Sequence, residues 1–142
     1  MNKVLYHAEV DVDVPFFDVD MMAIVWHGHY AKYFELARCA LLDAIDYNYI
    51  AMRDSGYLWP IIELNIRYVK PAVFGQPITV RAELVEWESR LKINYRVTDK
   101  LTGARLTKGH TIQVAVHRET QEMCFVSPPV LFEKLKVMEK PC

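Results

Sequence analysis

One change of hydrophobic period divides this chain. Residues 10–14 alternate strictly, with Val10, Val12 and Val14 on one side and Asp11 and Asp13 on the other. That is the period-two signature of a half-buried strand, read here over residues 4–14, and Pro15 closes it or places it at a sheet edge. From Gly28 the repeat switches to three and four: Ala31, Phe34, Arg38, Leu41, Leu42 and Ile45 recur on one face, among good helix formers. The spacing predicts a helix over 28–46, roughly five turns at 3.6 residues each. It is apolar around much of its circumference, so sheet should cover most of it.

The remainder reads as strands at about Trp59–Val69, Pro77–Trp87, Leu91–Asp99 and Arg105–Arg118, after a loop around Arg53–Tyr57. Turns fall at Gly75-Gln76-Pro77, Glu88-Ser89-Arg90 and Lys100-Leu101-Thr102-Gly103, so the last three strands form an antiparallel meander. Pro128-Pro129 starts a short C-terminal helix, in which Val130, Leu131, Leu135 and Met138 pack while Glu133, Lys134 and Lys136 face water. The expected class is α+β, one domain over residues 1–142, with a five-stranded antiparallel sheet wrapped around one long helix. Such a sheet has open edges, and symmetric association would cover one.

With 142 residues and a formal net charge of −1, the chain can bury a core without staples and lacks the basic footprint of a nucleic-acid binder. Cys39, Cys124 and Cys142 have no metal-like spacing and are odd in number, which points to a reducing, cytoplasmic setting. Residues 1–10 carry Lys3, His7 and Glu9 and do not read as a signal peptide; no apolar run approaches the roughly 20 residues needed to span a bilayer.

The chemistry concentrates in residues 16–30, Phe16-Phe17-Asp18-Val19-Asp20-Met21-Met22-Ala23-Ile24-Val25-Trp26-His27-Gly28-His29-Tyr30. Two carboxylates follow a strand, and an apolar run leads to two histidines where the helix begins. A helix start offers free N–H groups and partial positive charge for an oxyanion. A carboxylate beside it can serve as general base or nucleophile. These are the two parts of acyl transfer, although acids after strands also form turns and histidines also cap helices.

The same residues resemble the 4-hydroxybenzoyl-CoA thioesterase-like hotdog proteins, including YbgC-type acyl-CoA thioesterases. The resemblance rests on Asp18-Val19-Asp20, Ile24-Val25-Trp26, His27-Gly28-His29-Tyr30 and Tyr33-Phe34-Glu35-Leu36-Ala37-Arg38, followed by Arg67-Tyr68-Val69-Lys70-Pro71-Ala72-Val73-Phe74-Gly75. It implies a hotdog fold and hydrolysis of an acyl-CoA to free acid and CoA. Coenzyme A is then part of the substrate, and neither cofactor nor metal is required. It implies Asp20 as the catalytic carboxylate, Asp18 as a turn-shaping acid, and the His27 amide region as receiver of the thioester oxygen. His29 would be a helix-start group, with Tyr30 and Phe34 packing. Trp26, Gly28, Met21 and Met22 would border the substrate, while Lys70, Arg90 and Lys92, with Arg81 behind them, would meet the CoA phosphates, often from a neighbouring subunit of a homodimer or homotetramer.

One departure concerns Met21-Met22-Ala23, where the family has Pro-Ala-Gly or Ala-Gly-Gly. Without the glycine, either the loop takes another shape or two Met side chains narrow the acyl site. Other motifs are missing: there is no Gly-x-Ser-x-Gly elbow or phosphate-binding glycine loop, and His110 and His117 lie seven apart on one expected strand, so they face opposite ways. Cys39, mid-helix among apolar residues, is expected in the core. Two alternatives stand beside hydrolysis: a non-catalytic acyl-CoA or acyl-carrier-binding protein, and a thioester hydratase or dehydratase.

Overall fold

The computed structural model describes residues 3–137; Met138 and Cys142 lie outside them. The strands are β1 (Tyr6–Asp13), β2 (Tyr57–Leu58), β3 (Ile61–Tyr68), β4 (Pro77–Glu86), β5 (Leu91–Asp99), β6 (Arg105–Gln113) and β7 (Val116–His117). The helices are α1 (Tyr30–Ala44), α2 (Tyr49–Asp54) and α3 (Pro129–Leu135). Five strands form one antiparallel sheet in the order β1-β4-β5-β6-β3, with the expected β4–β5–β6 meander at its centre.

Strict alternation fixes which side of the sheet is dry. Ile78, Val80, Ala82 and Leu84 of β4 and Ile93, Tyr95 and Val97 of β5 are all buried. They meet Tyr33, Phe34, Ala37 and Leu41 of α1, which packs on β1, β4 and β5. Phe34 stacks on Tyr95 with ring centroids 4.4 Å apart and planes 4° from parallel. Position 109 on β6 must be glycine for the same reason: a Cβ there would sit 2.8 Å from the Phe34 ring and 2.1 Å from the Asn65 carbonyl oxygen.

A single sheet reaches α1 from one side only, which corrects two expectations. Lys32, Glu35, Leu36 and Asp43 are exposed, so the sheet does not cover most of the helix. Cys39 shares this open side and is exposed, outside the core. Arg38 does turn inward, 6% exposed, and bonds Glu35 Oε1 at 3.2 Å.

Two of the expected strands differ in extent. Pro60 has no N–H to give the ladder, so the strand expected at Trp59–Val69 begins only at Ile61, as β3. Tyr57–Leu58 ahead of it forms β2, and Arg105–Arg118 divides into β6 and β7, with β2 and β7 pairing separately. His110 and His117 therefore belong to different strands. The loop expected around Arg53 begins as α2, whose first turn is capped by the Asn48 side chain accepting the Ala51 N–H at 2.9 Å. α3 buries Leu131 and Leu135 as expected, and Phe132 with them. β3 ends the sheet with Ile62 and Leu64 60% and 47% exposed.

Candidate active site

The connection from β1 to α1 folds back on itself. Phe16–Asp18 forms one tight turn, closed by the Asp18 N–H on the Pro15 carbonyl at 3.0 Å. Residues 18–20 then run antiparallel to 24–26: Val19 bridges Val25, Asp20 N–H donates to the Ile24 carbonyl at 2.9 Å, and Trp26 N–H donates to the Asp18 carbonyl at 3.1 Å. The tip is a reverse turn closed by Ala23 N–H on the Asp20 carbonyl at 2.9 Å.

Ala23 itself takes φ of 61°, the left-handed conformation for which glycine would be the unstrained choice. The departure at Met21-Met22-Ala23 therefore keeps the turn. Met21 and Met22 extend from its tip, 103% and 78% exposed, and do not border the cavity beside His27.

The two acids have opposite surroundings. Asp18 is 1% exposed, accepting from Tyr33 Oη at 2.6 Å and from Lys32 Nζ at 2.5 Å, with His29 Nδ1 3.8 Å away. Burial alone would raise its pKa, but the Lys32 and Tyr33 hydrogen bonds outweigh burial and hold it below the usual aspartate value. Asp20 is exposed, and one carboxylate oxygen accepts the Met22 N–H at 2.8 Å, leaving the other free to address water or substrate. Asp18 thus builds the turn that presents Asp20.

The second sequence signature meets the first in space. Val73 bridges Ile24, the Val25 N–H donates to the Ala72 carbonyl at 2.9 Å, and Phe74 N–H donates to the Ala23 carbonyl at 3.1 Å. Ala72 N–H also donates to Tyr30 Oη at 3.2 Å, tying this segment to the start of α1. Residues 72–74 therefore act as a third strand-like support behind the Asp20 turn.

A 3-10 turn over His27–His29 leads into α1: the Tyr30 N–H bonds the His27 carbonyl and the His29 N–H the Trp26 carbonyl at 3.0 Å, which leaves the His27 and Gly28 N–H groups at its start. They supply the partial positive pole. The His27 ring packs on Tyr68 at 4.7 Å, and Tyr68 Oη donates to the His27 carbonyl at 3.1 Å. Tyr68 was passed over as a site residue in the sequence, although it stands two positions before Lys70 in the second signature. Burial, with Tyr30 adding to it, raises its pKa, so it remains a donor. Trp26 lies 5.5 Å from the His29 ring and also covers Gly28, where an added Cβ would fall 2.1 Å from its Cζ3.

A cavity of about 210 Å³ opens here, lined by Ile24, His27, Tyr30, Tyr68 and Lys70 among others. The structure brings Asp20, Trp26, His27, Gly28 and Lys70 to one end of the sheet. It does not bring Arg90 or Lys92 there. They sit at the β4–β5 turn, where both act electrostatically on Glu63 near the opposite end of β3. Glu63 and Tyr68 are five residues apart on that strand, roughly 17 Å at about 3.4 Å per residue. Arg90 bonds Glu86 at 2.7 Å, and Arg81 is committed to Glu9 and Glu83. Among the described residues no group of three or more His, Cys, Asp or Glu side chains could hold a metal ion. No helix among them is long and apolar enough to cross a membrane.

Residues 14–137 match the family model described as the thioesterase-like superfamily. A putative acyl-CoA thioesterase, YneP of Bacillus subtilis (strain 168), is 28% identical over 83 residues, spanning 58% of this chain and 60% of that relative. Among solved structures, a hypothetical protein of Thermus thermophilus, TT1821, superposes with a TM-score of 0.79 at 29% identity, over 91% of this chain and 97% of that one. Slr0204, a 1,4-dihydroxy-2-naphthoyl-CoA thioesterase from Synechocystis, superposes with a TM-score of 0.82 over 95% of this chain and 99% of that one. At 14% identity it bears on the fold alone, which is the hotdog fold.

Proposed function

Because the chain belongs to the thioesterase-like superfamily, we propose that it hydrolyses an acyl-CoA thioester as a YbgC-type, 4-hydroxybenzoyl-CoA thioesterase-like enzyme. The observation that carries this reading is the short ladder between residues 18–20 and 24–26, which sets Asp18 against Trp26 on the approach to α1 and holds an exposed Asp20 two residues further out on the same turn. The thioester oxygen is received by N–H groups at His27 and Gly28, where negative charge grows as the carbonyl is attacked. Asp20 then works by one of two routes. As general base it takes a proton from the attacking water; as nucleophile it forms a mixed anhydride that water opens. In both, the C–S bond breaks and CoA leaves as thiolate, to be protonated by solvent.

The substrate's nucleotide end calls for a second subunit. β3 is an unpaired edge flanked by exposed Ile62, Leu64 and Val69, a surface that water does not favour. Antiparallel pairing of two β3 edges about a two-fold axis sets the start of one strand beside the end of the other. The partner's Arg90 and the partner's Lys92 would then approach the end that carries Asp20, His27 and Lys70. This supports a homodimer as the catalytic unit.

The test is thiol release from short, medium, long and aromatic acyl-CoAs by the protein and by Asp20→Asn. Release by the first and not the second supports hydrolysis at Asp20. Tight acyl-CoA binding with no thiol release would replace it with a binding role, and a change in the acyl chain with CoA retained would indicate hydration chemistry.

A further inference from the structure

The outer face of the sheet carries a charge pattern that the proposed reaction does not use. Strand register places Glu9, Arg81, Arg96, Lys108 and Arg67 side by side across all five strands. Like charges directly opposite one another destabilise a sheet. The first part of the row is compensated: Arg81 bonds Glu9 at 2.8 Å and Glu83 at 2.9 Å, and Glu83 also accepts from Arg96 at 3.1 Å.

Beyond Arg96 the compensation stops. Lys108 and Arg67 are exposed, and among the described residues neither has a carboxylate partner. With Arg96 they line an open polar hollow of about 750 Å³. The next cross-strand row along it is Asn94, His110 and Asn65, with His110 bonded to Glu63, and Glu83 is the carboxylate on the lining.

We propose that this hollow binds a diphosphate-bearing small molecule across Arg96, Lys108 and Arg67. Strands are about 4.8 Å apart, so the three cations extend over roughly 10 Å, a span suited to linked phosphates rather than one small anion. Two guanidinium groups offer paired donors and Lys108 a point charge. A nucleic acid is disfavoured by the chain's net charge of −1. A second copy docked about a two-fold axis through the row would oppose cation to cation. The shared chemistry is the diphosphate, and it has two sources: a free nucleotide, or the diphosphate of CoA itself. Tyr68, which borders both this hollow and the cavity beside His27, keeps the second source within the geometry.

The experiment is calorimetric titration of the full chain with inorganic pyrophosphate at about 0.15 M salt, repeated with the double variant Arg67→Gln/Lys108→Gln. The expected result is saturable binding that weakens about tenfold or more in the variant, with an unchanged circular dichroism spectrum and no loss of thermal stability. Competition separates the sources: CoA displaces pyrophosphate if the hollow takes the substrate's own diphosphate, and ATP alone displaces it if the ligand is free nucleotide. Absence of saturable binding, equal binding by the variant, or a salt-sensitive change of oligomeric state in the variant would overturn the proposal. Thiol release is measured separately on both proteins, so failure of this site and failure of the hydrolase reading give different results.

Discussion

Tyr33 Oη donates to Asp18 Oδ2 at 2.6 Å, joining the first turn of α1 to the turn that presents Asp20. The bond is buried, and Lys32 bonds the other oxygen. Removing the charge by Asp18→Asn leaves Lys32 without its ion and costs about 1.5–3 kcal/mol, the range for hydrogen bonds to charged groups. Chemical denaturation reads the loss as a lower midpoint. Activity falls with it, because the Asp20 turn loses its anchor.

The same carboxylate sets an acid limit. Its folded pKa lies below the unfolded value, so its contribution is complete above the unfolded pKa of about 3.9 and fades as pH falls through the folded one. Midpoints measured from pH 7 downward should hold to about pH 5 and then drop. Asp18→Asn should show a shallower fall over the acid range. An equal acid dependence in both proteins would remove Asp18 from the explanation.

Asp20→Asn should behave oppositely to Asp18→Asn. Its side chain is exposed and bonded only locally to Met22, so melting should shift little while thioester turnover drops by about 10²–10⁴-fold. Single-turnover hydrolysis in heavy-oxygen water identifies the nucleophilic route by label in the Asp20 carboxylate, which enters when water opens the anhydride at the Asp20 carbon.

How much of this was legible in the sequence varies with the distance over which it is determined. The alternation of Val10, Val12 and Val14 and the three-four spacing of Phe34, Arg38 and Leu41 are local signals, and β1 and α1 follow them. The short α2 was hidden because its signal is a single cap, Asn48. Cys39 was misplaced because apolar neighbours in sequence do not reveal which side of a helix the sheet reaches. Asp20 and His27 stand seven positions apart in one stretch, so the sequence offers them together. The separation of Lys70 from Arg90 and Lys92 depends on register and strand direction, which a basic residue by itself does not encode.

That separation makes a complementation prediction. If the site spans two subunits, Leu64→Lys at the β3 edge should give monomers by light scattering and abolish turnover without unfolding the chain. Mixing inactive Asp20→Asn with weakened Arg90→Ala/Lys92→Ala and exchanging subunits should restore activity above that of either parent. An active monomer would place the whole site within one chain.

Ala23 offers a gain. A non-glycine residue at φ of 61° carries a cost of about 1–2 kcal/mol, so Ala23→Gly should raise stability by about 0.5–1 kcal/mol after the entropy of the freer unfolded chain is deducted. A higher melting temperature checks it.

Gly28 has its meaning only through Trp26. Because the indole fills the volume that a Cβ at position 28 would need, the two positions are one unit of variation: a side chain can enter at 28 only after the ring at 26 has shrunk or swung away. Sequence change at the mouth of this helix must therefore pass through 26 before 28, and the order of substitutions open to the protein is set by a single tryptophan.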